Sequence, residues 1–240
     1  MSESKKISVC FTADQFDKYA DGKSTVVVVD LLRATSVIST AFTAGVKAII
    51  PVQTLEEALS YKGKEGYIVA AERNAKPIEG FDYGNSPFHY INADVKGKTL
   101  VLTTTNGTKA IHNARGHKVI TASYINIEAV ANHLIEKHND VIILCSGWKG
   151  VFNLEDPIFA GSLADLLMDS DKYESSCDSL FASIQLLKNS NGDLFNYLRD
   201  SSHRKRLKSL NMEDDTHFCL SPPIKSDIIP ILKGDKLVIL

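Results

Sequence analysis

The sequence predicts an α/β fold, a three-layer α/β/α sandwich around a mostly parallel or mixed sheet, and three observations carry the prediction. Strand-length apolar runs alternate with helix-length amphipathic segments from Lys5 to about Asp169. One run, Val26-Val27-Val28-Val29, is continuous rather than alternating, as expected of a central strand covered on both faces. Polar and charged residues gather just after the apolar runs, where open α/β sheets bind their ligands.

Taken in order, KKISVCF reads as a first strand, and residues 13–23 as a polar connection with room for a short helix. The valine strand follows and delivers Asp30, then Arg33, with Thr35 and Ser36 placed to open a helix that ends near Gly45. VKAIIPV is a strand closed by Pro51, and Thr54 with Glu57 three residues on marks the start of the next helix. YIVAA is a strand that ends in Glu72 and Arg73. Residues 74–94 are rich in Pro, Gly, Asn and Asp and support at most a short helix from Pro87. KTLVLT is a strand that runs into Thr103, Thr104 and Thr105, with Asn106, Gly107 and Thr108 at the start of a helix. HKVITAS, the amphipathic YINIEAVANHLIEKHN and DVIILCSGWKG continue the alternation. Asp156 and Pro157 then suit the N-cap and first position of a helix over IFAGSLADLLMD. Right-handed crossovers would place these strand ends on one edge of the sheet.

From residue 170 to 218 the pattern changes to polar-faced helices with turns at 189–192 and 201, read as a helical appendage without a functional signature. Its basic run, His203 to Lys208, is expected to be a solvated helix face offset by Glu213, Asp214 and Asp215. Prolines at a bend and a last strand, Lys236 to Leu240, end a chain expected to be one domain over 1–240, with no internal repeat.

A chain of 240 residues and 26.4 kDa is long enough to bury a substantial core. Net charge of -2 and a pI near 6.4 argue against a nucleic-acid surface, so any anion must be met by local cations. The apolar runs are too short for a membrane span, and MSESKKISVCFTADQF lacks the apolar core of a signal peptide, so the cytoplasm is expected. Cys10, Cys145, Cys177 and Cys219 are scattered without a CxxC pair, as suits reduced thiols rather than a disulfide framework or zinc site.

Singly, each polar strand end could be a helix cap or a local ion pair. Two acid-plus-arginine ends, Asp30 with Arg33 and Glu72 with Arg73, favour a shared site instead. Arginines beside backbone N–H groups suit an anion such as phosphate. Asp30, Glu72 and Asp156 suit Mg²⁺, which takes one or two carboxylates with water and substrate oxygens. The familiar phosphoryl-handling motifs are absent. TTTNGTKA lacks P-loop spacing, no GxGxxG follows a strand, and VVVVDLLRATS has one aspartate where a haloacid dehalogenase type would show two. Val151 stands six residues after Cys145, where a cysteine-dependent phosphatase carries arginine, so Cys145 is read as structural. No histidine pair has HxH or HExxH spacing; His89, in the 74–94 loop, reads as a surface residue, and Trp148 as a pocket wall or a core residue.

Together, Asp30-Leu31-Leu32-Arg33-Ala34-Thr35, Glu72-Arg73, Gly84-Asn85-Ser86-Pro87, Thr104-Thr105-Asn106-Gly107-Thr108 and Glu155-Asp156 form an ordered set. The set resembles that of the 2-phosphosulfolactate phosphatase family, and the likeness runs in order from about residue 5 to 170. The resemblance implies Mg²⁺-dependent hydrolysis of 2-phospho-3-sulfolactate to 3-sulfolactate and phosphate, in coenzyme M biosynthesis. It further implies Asp30 and Glu72 as catalytic metal ligands, with Asp156 or Glu155 assisting. Asp30 could instead attack phosphorus, and the residues leave both roles open. Arg33 and Arg73 would clamp the phosphate, sulfonate and carboxylate of a small anionic substrate, with Asn85, Ser86, Thr104, Thr105, Asn106 and Gly107 completing its binding. Other phosphorylated 2-hydroxy acids, or non-catalytic binding of a small anion, would use the same groups. A homodimer is expected only because it is the commonest assembly of soluble chains.

Overall fold

The computed structural model describes residues 4–240; Met1, Ser2 and Glu3, which begin the stretch read for a signal peptide, lie outside the described residues. The architecture is the expected sandwich, built on a mixed sheet of eleven strands. Its first block holds β1 (Lys5–Cys10), β2 (Thr25–Val29), β7 (Lys118–Thr121) and β8 (Val141–Cys145), all parallel, with β2 between β7 and β8. A second parallel block holds β3 (Ala48–Pro51), β6 (Thr99–Thr103) and β4 (Tyr67–Arg73), edged by the two-residue β5 (Lys76–Pro77). The two-residue β9 (Tyr173–Glu174) edges the first block beside β1.

Between the blocks lies a hairpin, β10 (Pro230–Lys233) and β11 (Lys236–Ile239), antiparallel to β7 on one side and to β3 on the other. Pairing by pairing, the second block therefore runs opposite to the first, and the expectation of strand ends along one parallel edge does not hold. The polar ends meet all the same. Adjacent strands in sheets are generally rotated by roughly 20–25°, and β4 is six steps from β2 in the order β2-β7-β10-β11-β3-β6-β4. Residues of both blocks share one core with α1 (Ala34–Thr43) and α4 (Gly107–Asn113), and Glu72 of the second block lines the same cleft as Asp30 of the first.

The valine run shows how the layers are filled. Val26 and Val28 join α1, α4 and the short α3 (Phe88–Ile91) in one core, together with Ile49, Leu100 and Leu102. Val27 and Val29 face the other way, onto α5 (Ile127–Lys137), α6 (Glu155–Met168) and α7 (Asp178–Asn189). A third, smaller cluster sits under α2 (Leu55–Leu59). All four valines are fully buried, each worth about 1.5–3 kcal/mol relative to exposure. Burial on that scale lets the strand carry a buried carboxylate at its end, whose desolvation costs several kcal/mol.

Local signals behave largely as read: the Thr54 hydroxyl accepts the Glu57 N–H at 3.0 Å, and a helix follows Pro87. Asp156 is not an N-cap, since α6 starts at Glu155 after Leu154 and Asp156 lies within its first turn. Among the described residues no helix is long and apolar enough to cross a membrane.

Candidate active site

Beyond β2 the chain turns into α1, and Asp30 sits in that turn, 7% exposed, at the floor of a cleft also lined by Arg33, Glu72, Asn85 and Asn106. Burial, and after it the charges of Asp156, Glu72 and Glu155, push the Asp30 carboxyl well above the usual carboxylate range. Close approach to Asp30 is possible because residue 107 is glycine: a Cβ there would lie 2.6 Å from the Ala34 Cβ and 2.8 Å from Asp30 Oδ2. Gly107→Ala is therefore expected to cost about 1–3 kcal/mol and most of the turnover. A variant with unchanged melting temperature and rate would contradict that packing.

Glu72 is held by its neighbours. Its Oε1 accepts the Thr105 hydroxyl at 3.0 Å and the Ala75 N–H, and its Oε2 accepts the Thr105 N–H at 3.3 Å. Thr105 thus supports a carboxylate from within the chain. Thr104 and Thr108 exchange hydrogen bonds at the start of α4, and Asn106 Oδ1 accepts the Lys149 N–H at 2.8 Å, tying the loop after β8 to the cleft.

Asp156 is buried deeper, and its oxygens are engaged by the chain. Oδ1 accepts the Leu31 N–H at 2.9 Å, while Oδ2 accepts from Ser146 Oγ, Gly147 N and Asn153 Nδ2 at 3.0, 3.2 and 2.8 Å. Burial and the adjacent Glu155 raise its pKa to about 6 against the pull of those donors. Asp156 thus braces the turn that carries Asp30. Glu155 turns to the C-terminal segment, where Oε1 meets His203 Nδ1 at 2.6 Å.

The two arginines part ways. Arg33 lies in the cleft and donates to the Ala75 carbonyl at 2.9 Å and to the Asp215 carboxylate. Arg73 follows Glu72 in the same strand, so the pleat sends it to the other side. There it donates to the Glu72 carbonyl at 2.7 Å, Thr103 Oγ1 at 2.8 Å and the Gln53 carbonyl at 3.1 Å, and it does not line the cleft. Ser86 and Asn85 border an adjoining hollow that shares Arg33, and the Ser86 hydroxyl donates to Asp215 at 2.8 Å.

The C-terminal helices contribute more than the sequence suggested. His203 and Arg204, in α9 (Ser202–Ser209), which comes after the short α8 (Leu194–Tyr197), are buried, so the basic run is not the solvated face expected of it. Its period-3.6 pattern looked polar because the face turned to the protein carries His203, Arg204 and Leu207, of which only leucine is apolar. Asp215 reaches Arg33 from α10 (Glu213–Leu220), and Trp148 walls the cleft beside His203. His89 is exposed and accepts the Gly84 N–H. Cys145 is fully buried, and burial raises its pKa, as suits a structural thiol.

For Mg²⁺ the donor set fits in one way only. Among the described residues no three His, Cys, Asp or Glu side chains are arranged as a metal cage. Asp30 and Glu72 supply oxygen donors into a shared cleft, the one-or-two-carboxylate arrangement in which water and substrate complete the shell.

A family model described as 2-phosphosulpholactate phosphatase matches residues 10–235. A protein of Clostridium botulinum named probable 2-phosphosulfolactate phosphatase is 38% identical over 238 residues, 97% of this chain and 99% of the relative. Proteins of the same name from Thermotoga petrophila and Clostridium acetobutylicum are 41% and 37% identical, over 88% and 95% of this chain and 90% and 96% of theirs. On these likenesses the chain belongs to the 2-phosphosulpholactate phosphatase family of phosphoric monoester hydrolases.

Proposed function

We propose that this protein is a Mg²⁺-dependent phosphatase that hydrolyses 2-phospho-3-sulfolactate to 3-sulfolactate and phosphate, as in coenzyme M biosynthesis. The observation that carries the reading is the buried Asp30 carboxylate, crowded by other carboxylates and facing a cleft that also holds Arg33. Asp30 and Glu72 would hold the metal, which when bound would supply a Lewis acid for the phosphoryl oxygens and offset the buried negative charge. Arg33 binds an acidic group of the substrate, for which its guanidinium fork is suited. Asn85 and Asn106 add amide donors at the rim of the cleft, Gly107 gives room for Asp30, and Thr104 and Thr105 hold the helix start and Glu72. Asp156 fixes the Leu31 end of the turn, and Ser86 and Asp215 orient Arg33. Arg73 acts through the second block by tying β4 to β6.

A second reading, hydrolysis of phosphorylated 2-hydroxy acids without the sulfonate, is favoured by one feature. Arg33 is the only arginine or lysine that lines the cleft among the described residues, which suits a substrate with fewer anionic groups. The free cysteines support a reducing compartment such as the cytoplasm.

Phosphate release from a panel of phosphorylated 2-hydroxy acids, with Mg²⁺ and with EDTA, tests both. Preference for phosphosulfolactate that EDTA abolishes is expected. Equal turnover of the sulfonate-free esters would move the assignment to the second reading, and no release from any ester would leave a small-anion-binding protein.

A further inference from the structure

We propose that His203 is the catalytic residue that protonates the leaving oxygen, with Glu155 as its positioning residue; the inference rests on the phosphatase reading above. A 2-hydroxy acid leaves as an alkoxide, a poor leaving group unless it receives a proton as the P–O bond breaks. Arginine cannot give a proton at neutral pH, and the amides of Asn85 and Asn106 and the indole of Trp148 are no better. Asp30 and Glu72 are the carboxylates assigned to the metal. His203 is the remaining acid-base side chain on the cleft wall.

Its ring is held for the task. Nδ1 lies 2.6 Å from Glu155 Oε1, and Glu155, at 1% exposure, is outside the cleft lining, so Nε2 is the ring nitrogen left for the cleft. The hydrogen bond to a carboxylate fixes a proton on Nδ1. Trp148 packs on the imidazole with ring centres 5.0 Å apart, and the Arg206 guanidinium stacks 4.0 Å from the Trp148 ring, so the imidazole is wedged against an indole that is itself fixed. Glu155 Oε2 is buried without a partner. Among the described residues the hydrogen bond that the Glu155 carboxylate makes is thus the one to the His203 ring, which it holds in place.

The step balances. An oxygen nucleophile forms a new bond to phosphorus, the P–O bond to the substrate carbon skeleton breaks, and its electron pair goes to the leaving oxygen. That oxygen takes the proton from Nε2, and the imidazole regains one from the proton that the attacking water releases.

The test is leaving-group dependence in the full-length protein with Mg²⁺. Wild type, His203→Gln and Glu155→Gln are compared on 2-phospho-3-sulfolactate, on 2-phospholactate and on the 3,3,3-trifluoro analogue of 2-phospholactate, whose alcohol is a much better leaving group, with p-nitrophenyl phosphate as a further ester. His203→Gln is expected to lower kcat on 2-phospholactate by about 10²–10³-fold, and on the activated esters by less than about tenfold. Glu155→Gln, which can still accept from Nδ1, should move the same ratio in the same direction by less. An equal fall on all esters would overturn the proposal and leave His203 as a structural contact between α9 and α6; an undiminished kcat on 2-phospholactate would overturn it as well. Failure of the wild type on every ester would instead count against the phosphatase reading.

Discussion

Asp30→Asn is expected to lower kcat/KM by roughly three orders of magnitude, about 4 kcal/mol of transition-state stabilisation, while making the metal-free protein harder to unfold. The two effects have one cause. Asparagine keeps the shape of the side chain and an oxygen that can accept a hydrogen bond from the start of α1, so the turn and its contact with Gly107 persist. What disappears is a charge that burial and the neighbouring acids Asp156, Glu72 and Glu155 already disfavour. Relief of that crowding should stabilise the apo protein at neutral pH by about 1–3 kcal/mol. The same charge is what the metal and phosphoryl chemistry require, so function is lost as stability rises. Calorimetry in EDTA and steady-state kinetics with Mg²⁺ measure the two sides. An Asp30→Asn variant with full turnover would remove Asp30 from both the metal-ligand and the nucleophile roles. A variant that is inactive and also less stable would show that Asp30 has a packing role.

Why the sheet and part of the site could be read in the sequence, and the rest could not, follows from the range of the interactions. β2 and its carboxylate were legible because four consecutive valines have few other places to go, and the turn into α1 is local. Asn106 and Gly107 were legible for the same reason: a helix start is written within a few residues. Arg73 follows a local rule: adjacent strand residues point to opposite faces, so Glu72 and Arg73 cannot both face one cleft from a regular strand. The hairpin of β10 and β11 was legible only in part, because its insertion between β3 and β7 depends on pairings with strands far away in the chain. His203 and Asp215 are the furthest case. Their partners, Glu155 and Arg33, are 48 and 182 residues away, and the intervening helices look like ordinary polar-faced helices. The available clue was composition: a histidine and two arginines in a run that had to pack against something, with a tryptophan after a strand end.

Without divalent cation, the protein is expected to lose stability as the pH rises through about 6, and Mg²⁺ should restore it. The sign follows from the raised carboxyls. Asp156 titrates at about 6 in the folded protein against 3.8 for the ordinary group, and Asp30 is raised in the same direction. Below pH 4 both states hold these protons, and the groups cost the fold nothing. Between about 4 and 6 the unfolded chain ionises while the fold retains its protons, so unfolding is increasingly favoured; the loss from Asp156 is complete above that window, and Asp30 contributes with the same sign. For Asp156 alone the displacement is worth about 3 kcal/mol, which corresponds to a fall in Tm of roughly 5–10 °C for a chain of this size. A bound cation reverses the account by favouring the ionised carboxylates, and at a hundredfold excess over its Kd it adds about 2.7 kcal/mol. The measurement is Tm against pH in EDTA and in excess Mg²⁺, with Asp30→Asn as the control. Curves that diverge above pH 6 in the wild type and draw together in the variant are expected, because the variant loses both the raised carboxyl and the metal contact. Parallel curves in the wild type would mean that the crowded carboxylates do not bind Mg²⁺, and the acid cluster would then act by holding a proton rather than a metal.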